Sequence, residues 1–274
     1  VASTFDPTEG SEGKGELDFS DMREFLTTPT PKRHGVIQCY IRRNKSGLNK
    51  LYPVYQLYMK DGDRFLLAAK KRPKQKTSNY LISMDARDLS RSSPSFLGKL
   101  RSNFVGTEFT VYDDGANPKD ADEKDAPGGA KPRIELAVCN YASNVLGSRG
   151  PRKMKVCVPK VRGGERVRFQ PTDKTEEMLT RFKAKDFSDM VYMINKPPRW
   201  NEQVGAYVLN FNGRVTMASV KNFQLVNPDD QEAVLLQFGR VGKDSFTMDY
   251  QWPLCPLQAF GIALSSFDYK LACE

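Results

Sequence analysis

Apolar residues along most of this chain occur in short alternating stretches separated by turn residues. In residues 36–43, for example, Ile37, Cys39 and Ile41 occupy every second position, which is the period of a strand with one buried face. Turn sequences rich in Gly, Asp and Asn separate many of these stretches, as in a run of antiparallel hairpins. The pattern predicts about a dozen short strands, at residues 36–43, 52–59, 64–69, 79–84, 103–112, 134–141, 153–159, 166–169, 206–211, 220–226, 233–238 and 245–250.

The C-terminal segment has a different pattern. From Pro253 the chain reads PLCPLQAFGIALSSFDYKLACE, which puts apolar residues on every side of a helical wheel. A helix that is apolar all round must be enclosed by protein or lipid, and this one is shorter than the roughly 20 residues that span a bilayer. Because the rest of the chain is predicted to form strands, a closed sheet wrapped around the helix is the most economical architecture. Strand spacing alone allows an antiparallel barrel or a sandwich.

Other predicted helices are few and short. Residues 173–185 place Met178, Leu179 and Phe182 on one face, with acidic residues early and basic residues late, which suits the helix dipole. Residues 94–100 are predicted to form a single turn or short helix, and residues 21–26 another. The charged, Gly- and Pro-rich residues 117–132 are predicted to form a mobile surface loop.

The N-terminal residues differ from the rest in charge. Residues 1–21 contain six acidic side chains against Lys14 alone, and we expect a disordered or loosely attached lead. They have neither the basic start nor the apolar core of a secretory signal, and with Val rather than Met at position 1 we expect a domain boundary here. The predicted division is a lead and linker over residues 1–34 and one folded domain over residues 35–274.

Charge and cysteine usage narrow the function. The net charge of +9 favours an anionic partner, which could be nucleic acid, an anionic membrane surface or a phosphorylated ligand. The five cysteines are widely spaced, odd in number and without a C-x-x-C motif. We therefore expect reduced, mostly buried thiols and an intracellular location.

Catalytic and metal-binding motifs are absent from the sequence. His34 is the single histidine and lies in a Pro-rich basic linker, where we expect an exposed side chain rather than a member of a Ser–His or Cys–His site. Zinc sites need Cys/His clusters, and no phosphate-binding G-x-x-x-x-G-K-[ST] loop is present. The acidic pairs at 113–114 and 229–230 lie in turn sequences. We therefore expect no enzyme activity, no metal and no cofactor.

Two basic constellations are candidates for binding an anion. The first follows the strand at 64–69 and consists of Lys70, Lys71, Arg72, Lys74 and Lys76. It would create a strong local positive field, although a solvated turn or a nuclear-localisation-like stretch fits it equally well. The second is Lys99 and Arg101, which point the same way on an extended segment and are flanked by apolar residues. Such a pair offers phosphate a point charge and a bidentate fork.

Further basic residues lie near these in sequence. Arg91 precedes the second pair, and the stretch SRGPRKMKV supplies another patch of uncertain position with Arg149, Arg152, Lys153 and Lys155. Nucleic acid competes as a partner, but no zinc-finger, RRM or homeodomain signature is present and no aromatic residues interleave with the first run. Non-specific binding through phosphates stays open.

Several long segments resemble the Tubby family. They are FLLAAKKRPKQKTSNYLIS (65–83), FLGKLRSNFVGTEFTVYDDGANP (96–118), NVLGSRGPRKM (144–154), NFNGRVTMASVKNFQLV (210–226), LQFGRVGKDSFTMDY (236–250) and PLCPLQAFGIALSSFDYKLACE (253–274). The resemblance covers residues 35 to the end. It implies a barrel of twelve antiparallel strands threaded by the C-terminal hydrophobic helix.

The resemblance also implies a phosphoinositide-binding domain that prefers phosphatidylinositol 4,5-bisphosphate. The family's headgroup contacts map onto Lys99 and Arg101 in GKLR, Asn79 in SNYLIS and Arg133 in PRIELA. The chain departs from the family in having Pro73 inside the basic run and its own loop sequence at 117–132, just before Arg133.

For the whole protein, the resemblance implies a monomeric membrane adaptor without catalytic activity. It would lie at the inner face of the plasma membrane and in the cytoplasm, with release to the nucleus after phospholipase C removes the lipid. Delivery of receptors to cilia would involve the intraflagellar-transport complex through an N-terminal segment, which the acidic lead does not obviously contain. A DNA-binding transcription regulator that uses the basic surface is the alternative, and a phosphodiesterase-like enzyme is discounted.

Overall fold

The computed structural model of the protein describes residues 16–117, 131–142, 153–203 and 205–268. Within them, twelve strands form one closed antiparallel barrel around a C-terminal helix. The barrel strands are β1 (Ile37–Asn44), β2 (Val54–Met59), β3 (Arg64–Lys71), β4 (Asn79–Ser83), β5 (Phe96–Ser102), β6 (Glu108–Asp113), β7 (Glu135–Tyr141), β8 (Met154–Pro159), β11 (Met190–Asn195), β14 (Phe223–Asn227), β15 (Asp230–Arg240) and β16 (Ser245–Tyr250). Two short hairpins lie outside it, β9 (Val161–Arg162) with β10 (Glu165–Arg166) and β12 (Arg199–Asn201) with β13 (Ala206–Val208).

Barrel strands that are consecutive in the chain are also neighbours in space, and β16 closes the ring by pairing with β1 over Ile37↔Tyr250 to Arg42↔Ser245. Because every pairing is antiparallel, successive connections alternate between the two ends of the barrel. Closure removes the free strand edges that would otherwise be open to pairing with other chains. The predicted closed barrel around a helix is therefore confirmed, with the strand number that the family resemblance implied.

The barrel interior is filled by α3 (Pro256–Phe267), all of whose residues except Phe267 are buried. Close contact with the wall depends on glycine in α3, since a Cβ at Gly261 would lie 2.6 Å from a Val111 methyl group of β6. Within the wall, a Cβ at Gly98 of β5 would lie 2.4 Å from the Tyr112 carbonyl oxygen of β6. At the C-terminal end of α3, Phe267 packs edge-on against Phe238 and Phe246. The prediction of an enclosed helix is confirmed.

Polar side chains fix the position of α3 along the barrel axis. At its start, Gln258 Nε2 donates to the Leu136 carbonyl over 2.7 Å. Beyond its end, the buried Asp268 carboxylate accepts from Tyr80 OH over 2.9 Å, from Ser78 Oγ over 2.6 Å and from Lys71 Nζ over 2.9 Å. Buried polar groups of this kind favour one arrangement, because a shift of the helix would leave them unpaired.

The described part of the lead packs against the barrel. Helix α1 (Met22–Thr27) begins at Asp21, whose side chain accepts from the Glu24 N–H, and Leu26 is fully buried. Phe19 packs on Phe25 with ring centroids 5.0 Å apart. Residues 1–15 lie outside the described residues, so the expected disorder of the lead stays a prediction for them.

A second, smaller core covers part of the outer face of the barrel. Helix α2 (Met178–Lys183) buries Met178 there together with Val138, Cys157, Phe169 and Met190. Its predicted extent, 173–185, was too long at both ends. At the N-terminal end, the Asp173 carboxylate caps a local turn by accepting from the backbone N–H and hydroxyl of Thr175, and such turns compete with the first helical turn.

Four other predictions need correction. Residues 94–100 form no helix, because Phe96–Ser102 is a barrel strand; strand β11 was missed altogether. The predicted strands at 166–169 and 206–211 lie outside the barrel, where only the two small hairpins β9–β10 and β12–β13 overlap them. His34, predicted to be exposed, is only 4% exposed, at a cleft that it shares with Glu24 and Phe25 of α1.

The cysteine prediction is confirmed where it can be checked. Cys39, Cys139, Cys157 and Cys255 are all buried free thiols, whereas Cys273 lies outside the described residues. The predicted loop at 117–132 also lies almost entirely outside them.

Replacing Gly261 by Ala tests the contact between α3 and the barrel wall. An exposed helical Gly→Ala change normally stabilises by up to about 1 kcal/mol. Here we expect a loss of about 1–3 kcal/mol in the free energy of unfolding measured with urea, because the new methyl group overlaps Val111. The double variant Val111→Ala/Gly261→Ala should recover part of that loss as a coupling energy. A gain in stability from Gly261→Ala alone would contradict this expectation, because it would show that the barrel wall moves to accommodate the methyl group without loss of stability.

Candidate anion-binding site

Adjacent strands β4, β5 and β6 place the predicted site residues side by side on the outer face of the barrel. In the ladder, Asn79 pairs with Arg101, and Lys99 pairs with Tyr112. Strand alternation turns Gly98 and the fully buried Leu100 toward α3, so Lys99 and Arg101 point to the other side. The prediction that these two cations share one face is confirmed.

A backbone crossing positions Arg133 next to this pair. The Arg133 N–H donates to the Ala116 carbonyl over 2.9 Å, and a Cβ at Gly115 would lie 2.4 Å from the Arg133 Cα. Glycine at position 115 therefore allows the two chain segments to touch. The Arg133 guanidinium carbon lies 4.0 Å from the centre of the Tyr112 ring, in the geometry of a cation–π contact. The structure thus brings Arg133 to the site, although it follows a loop of divergent sequence.

The charged form of Lys99 is destabilised by its surroundings. Its side chain is only 4% exposed, and its Nζ donates to the Gly115 carbonyl over 3.4 Å. Burial lowers the pKa of Lys99 from 10.5 to about 8, with repulsion from Arg133, Arg91 and Arg101 adding to the effect and Asp113 opposing it. A negative charge brought to this position would reverse that penalty.

Arg101 shows the same electrostatic strain. Its pKa is lowered by burial and then by Arg133, while Arg72 and Arg91 add smaller repulsions. Positive groups from four separate segments of the chain therefore converge on one part of the wall. Clusters of like charges are unfavourable in an empty protein and are typical of sites that bind an opposite charge. We call Asn79, Lys99, Arg101 and Arg133 the cationic wall.

Two buried polar atoms of the cationic wall have no hydrogen-bond partner. They are the Asn79 side-chain oxygen, which accepts, and Arg101 Nε, which donates. Leaving such groups unpaired costs about 1–3 kcal/mol each. Asn79 and Arg101 are partners in the β4–β5 ladder, so an acceptor and a charged donor without partners lie on neighbouring strands.

The predicted auxiliary run divides into two parts. Lys70 Nζ donates to Asn49 Oδ1 over 2.8 Å and Lys71 pairs with Asp268, so both act within the fold. Lys74 and Lys76 are exposed on the loop that follows β3, and Arg72 is partly exposed there. The structure therefore leaves three of the five predicted residues available to an external anion.

The second predicted patch is not brought to the cationic wall as far as the structure describes it. Lys153 and Lys155 are exposed at the start of β8, three strands away from β5, and Arg149 and Arg152 lie outside the described residues.

Two contributors to the site were missed from the sequence. Tyr112 supports Arg133, and its position opposite Lys99 follows from strand pairing, which sequence alone does not give. Gly115 joins the site only through the fold, although the Gly in YDDGAN is a turn signal.

Other candidate sites in the described chain are weaker. No group of three or more His, Cys, Asp or Glu side chains there could hold a metal ion. A surface cavity of about 480 Å³ near α2 contains Arg181, Asp186 and Asp189, but Arg181 pairs with both carboxylates at 2.8 and 3.1 Å. None of the described helices has the length and apolar character to cross a membrane.

Comparison with known proteins agrees with this architecture. The sequence profile of the Tub family matches residues 26–269, which is most of the chain. The chain belongs to the Tub family. It is 48% identical over 263 residues to human (Homo sapiens) Tubby-related protein 3, covering 94% of this chain and 59% of that protein.

Two further relatives show the same relation. Mouse (Mus musculus) Tubby-related protein 1 is 48% identical over 261 residues, covering 94% of this chain and 47% of its own length. Protein king tubby of Drosophila pseudoobscura pseudoobscura is 46% identical over 280 residues, covering 99% of this chain and 59% of that protein. The chain spans about half the length of these relatives.

Replacing Lys99 by Met tests whether the site is strained. We expect the free energy of unfolding at pH 7 to rise by about 1–3 kcal/mol, because a buried, repelled cation is removed. Because folding lowers the pKa of Lys99, the charged side chain destabilises the folded state. This destabilisation is complete below about pH 8 and disappears as the pH approaches 10.5. The difference in free energy of unfolding between the variant and the parent, measured by urea unfolding at a series of pH values, should therefore shrink between pH 8 and pH 10.5.

The matched control is Lys155→Met, which removes an exposed lysine of the same barrel. It should change stability by less than about 0.5 kcal/mol at any of these pH values. A Lys99→Met variant less stable than the parent at pH 7 would contradict the account of a strained cation.

Proposed function

We propose that this chain is a phosphoinositide-binding membrane adaptor that prefers phosphatidylinositol 4,5-bisphosphate. The observation that carries the proposal is the cationic wall. Lys99, Arg101 and Arg133 lie close enough there to repel one another, and the nearby Asp113 offsets only part of that repulsion. Membership of the Tub family agrees with the proposal, and we expect the chain to act by binding rather than by catalysis.

The unpaired atoms favour a particular kind of anion. Arg101 Nε requires an acceptor such as a phosphate oxygen, whereas the Asn79 oxygen requires a donor such as a hydroxyl group. An inositol phosphate carries both on neighbouring ring carbons. A ligand with phosphate oxygens alone would leave the Asn79 oxygen unpaired, at a cost of about 1–3 kcal/mol.

Each residue then has a distinct part in binding. Lys99 and Arg101, from neighbouring positions on one strand face, contact the vicinal phosphates. Asn79 accepts from a ring hydroxyl, and Arg133, held against Tyr112 at 4.0 Å, closes the site. Because Lys99 and Arg101 are already desolvated by the fold, little further desolvation accompanies binding of the headgroup.

The exposed loop lysines contribute in a different way. Lys74 and Lys76 supply non-specific attraction worth about 1 kcal/mol each near an anionic surface. Specificity for the headgroup therefore depends on Lys99 and Arg101. Retention at the membrane depends on the total positive charge of the surface. Loss of the headgroup through phospholipase C would remove the specific contacts and release the protein to the cytoplasm or nucleus.

Further roles concern the whole protein. Delivery of receptors to cilia and contact with the intraflagellar-transport complex would use an N-terminal segment of the whole protein. We expect the domain itself to be monomeric. A DNA-binding transcription regulator is the second candidate, favoured by the net charge of +9, but B-DNA phosphates would leave Asn79 without a donor.

Co-sedimentation with vesicles tests the proposal directly. Vesicles containing phosphatidylinositol 4,5-bisphosphate are compared with phosphatidylserine vesicles of equal total charge at physiological salt. We expect the parent to prefer the inositide, and Lys99→Ala/Arg101→Ala to lose about a hundredfold or more of that affinity, since two hydrogen bonds to charged groups contribute about 1.5–3 kcal/mol each. The matched pair Lys74→Ala/Lys76→Ala should weaken binding to both lipids by the same factor, up to about thirtyfold.

Equal binding to both lipids that Lys99→Ala/Arg101→Ala leaves unchanged would overturn the proposal, because the basic surface would then act only as a diffuse field. Sequence-specific binding to duplex DNA in the same buffer would favour the second candidate.

A further inference from the structure

Two loops at one end of the barrel expose large apolar side chains. Leu48 is 99% and Leu51 83% exposed between β1 and β2, and Phe104 is 73% and Val105 41% exposed between β5 and β6. Single exposed apolar residues are ordinary, but here two such residues project from each of two loops that lie on the same end, because connections alternate between the ends of an up-and-down barrel. A third loop, 72–78, lies between them. We call residues 44–53, 72–78 and 102–107 the rim.

The apolar loops are held in shape by their own polar groups. The Asn103 side-chain oxygen accepts from the N–H groups of Thr107 and Glu108 over 2.9 and 3.2 Å, while its amide donates to Thr107 Oγ1 over 3.0 Å. In the other loop, Asn44 Oδ1 accepts from the Ser46 N–H over 2.8 Å. Phe104 and Leu48 therefore project from supported turns rather than from irregular chain.

Hydrogen bonds also join the loops, either directly or through the end of strand β3. Lys70 Nζ reaches Asn49 Oδ1 over 2.8 Å, and the N–H groups of Ser78 and Ser102 each donate to the other residue, to Ser102 Oγ and to the Ser78 carbonyl, over 3.0 Å. The rim is thus one connected surface. It begins one residue from the cationic wall, since Ser78 precedes Asn79 and Ser102 follows Arg101.

The charge of the rim is complementary to an anionic surface. Residues 44–53, 72–78 and 102–107 contain no Asp or Glu, and Lys45, Lys50, Lys74 and Lys76 are exposed among the apolar tips. The nearby Asp244 of the β15–β16 turn is paired with Arg43 at 2.8 Å. At the opposite end of the barrel, loops 60–63 and 84–95 carry Asp61, Asp63, Asp85 and Asp88 together with Lys60, Arg87 and Arg91. The rim is therefore basic without acidic residues, whereas these opposite loops carry both signs of charge.

We propose that the rim inserts into the headgroup layer of an anionic phospholipid bilayer, with Leu48, Leu51, Phe104 and Val105 as its wedge. This inference rests on the proposed function in taking a bilayer as the partner, and it adds an orientation: the rim faces the lipid and the opposite end of the barrel faces away. Apolar side chains beside lysines are the composition of surfaces that lie at the membrane interface. A headgroup held by Arg101 and Asn79 then lies beside the inserted loops, so both contacts form on one membrane.

Fluorescence quenching by brominated lipid tests this orientation. Leu48→Trp and Phe104→Trp are made in a Trp200→Phe background and mixed with brominated phosphatidylcholine vesicles that contain phosphatidylinositol 4,5-bisphosphate. We expect about half of the added emission to be quenched, because interfacial side chains lie roughly 5–10 Å inside the headgroup boundary. The control Arg87→Trp replaces an exposed residue at the opposite end and should not be quenched.

A serine variant provides a second measurement. Leu48→Ser/Leu51→Ser/Phe104→Ser should lower partitioning into the same vesicles by about tenfold or more, since exposed apolar area no longer enters the interface. Its thermal melting should match that of the parent, because the three side chains are exposed. It should also retain the preference for the inositide over phosphatidylserine.

The outcomes separate the two proposals. Sedimentation of the parent with inositide vesicles without quenching at positions 48 and 104, or with equal quenching at position 87, overturns the wedge and leaves headgroup binding intact. Equal sedimentation with both lipids, together with quenching at 48 and 104 alone, overturns the headgroup site and supports the wedge. Absence of sedimentation with any anionic vesicle overturns both.

Discussion

The enclosure of an apolar helix by a closed sheet is the constraint on which the rest of this structure depends. Helix α3 buries every face, so inward positions of the surrounding strands must be apolar or small, as at Gly98 and Val111. Strand alternation then assigns the remaining positions to the outer face. Lys99 and Arg101 are therefore placed together by the packing of Leu100 between them as much as by their own chemistry.

This arrangement separates stability from binding within one strand. Leu100 contributes apolar burial, whereas its neighbours carry charges whose pKa values are lowered by desolvation and mutual repulsion. Such strain persists only where the surrounding fold determines the conformation. The ladder pairs with β4 and β6, together with the crossing at Gly115, hold the cations in place against their repulsion. The stability of the barrel thus maintains a site that would be unfavourable in isolation.

Sequence patterns predicted the enclosed helix and ten of the barrel strands because alternation is a local property. They failed at β5 and β11. In Phe96–Ser102, Phe96, Leu97 and Gly98 do not alternate between apolar and polar residues, and glycine is needed at position 98 because a Cβ there would lie 2.4 Å from the Tyr112 carbonyl oxygen of β6. From sequence alone this segment therefore resembles a turn or short helix. The burial of His34 depends on tertiary structure, which its Pro-rich, basic local sequence does not reveal. Lys99 and Arg101 could be predicted as a pair, but the support of Arg133 by Tyr112 requires strand register.

Burial also distinguishes what the basic residues of this chain can do. A solvated lysine such as Lys74 attracts any anion and is screened by salt within about 8–10 Å, so it cannot separate one phosphorylated headgroup from another. Lys99 and Arg101 lie in fixed positions with unmet electrostatic and hydrogen-bonding demands, and only a ligand that meets them in that geometry recovers the cost. Complementarity of this kind gives specificity, whereas the exposed charge mainly affects encounter and retention. In the sequence, all of these basic residues contribute to one net positive charge. The fold gives them two different roles, because burial makes some of them specific and exposure leaves the others to act at long range.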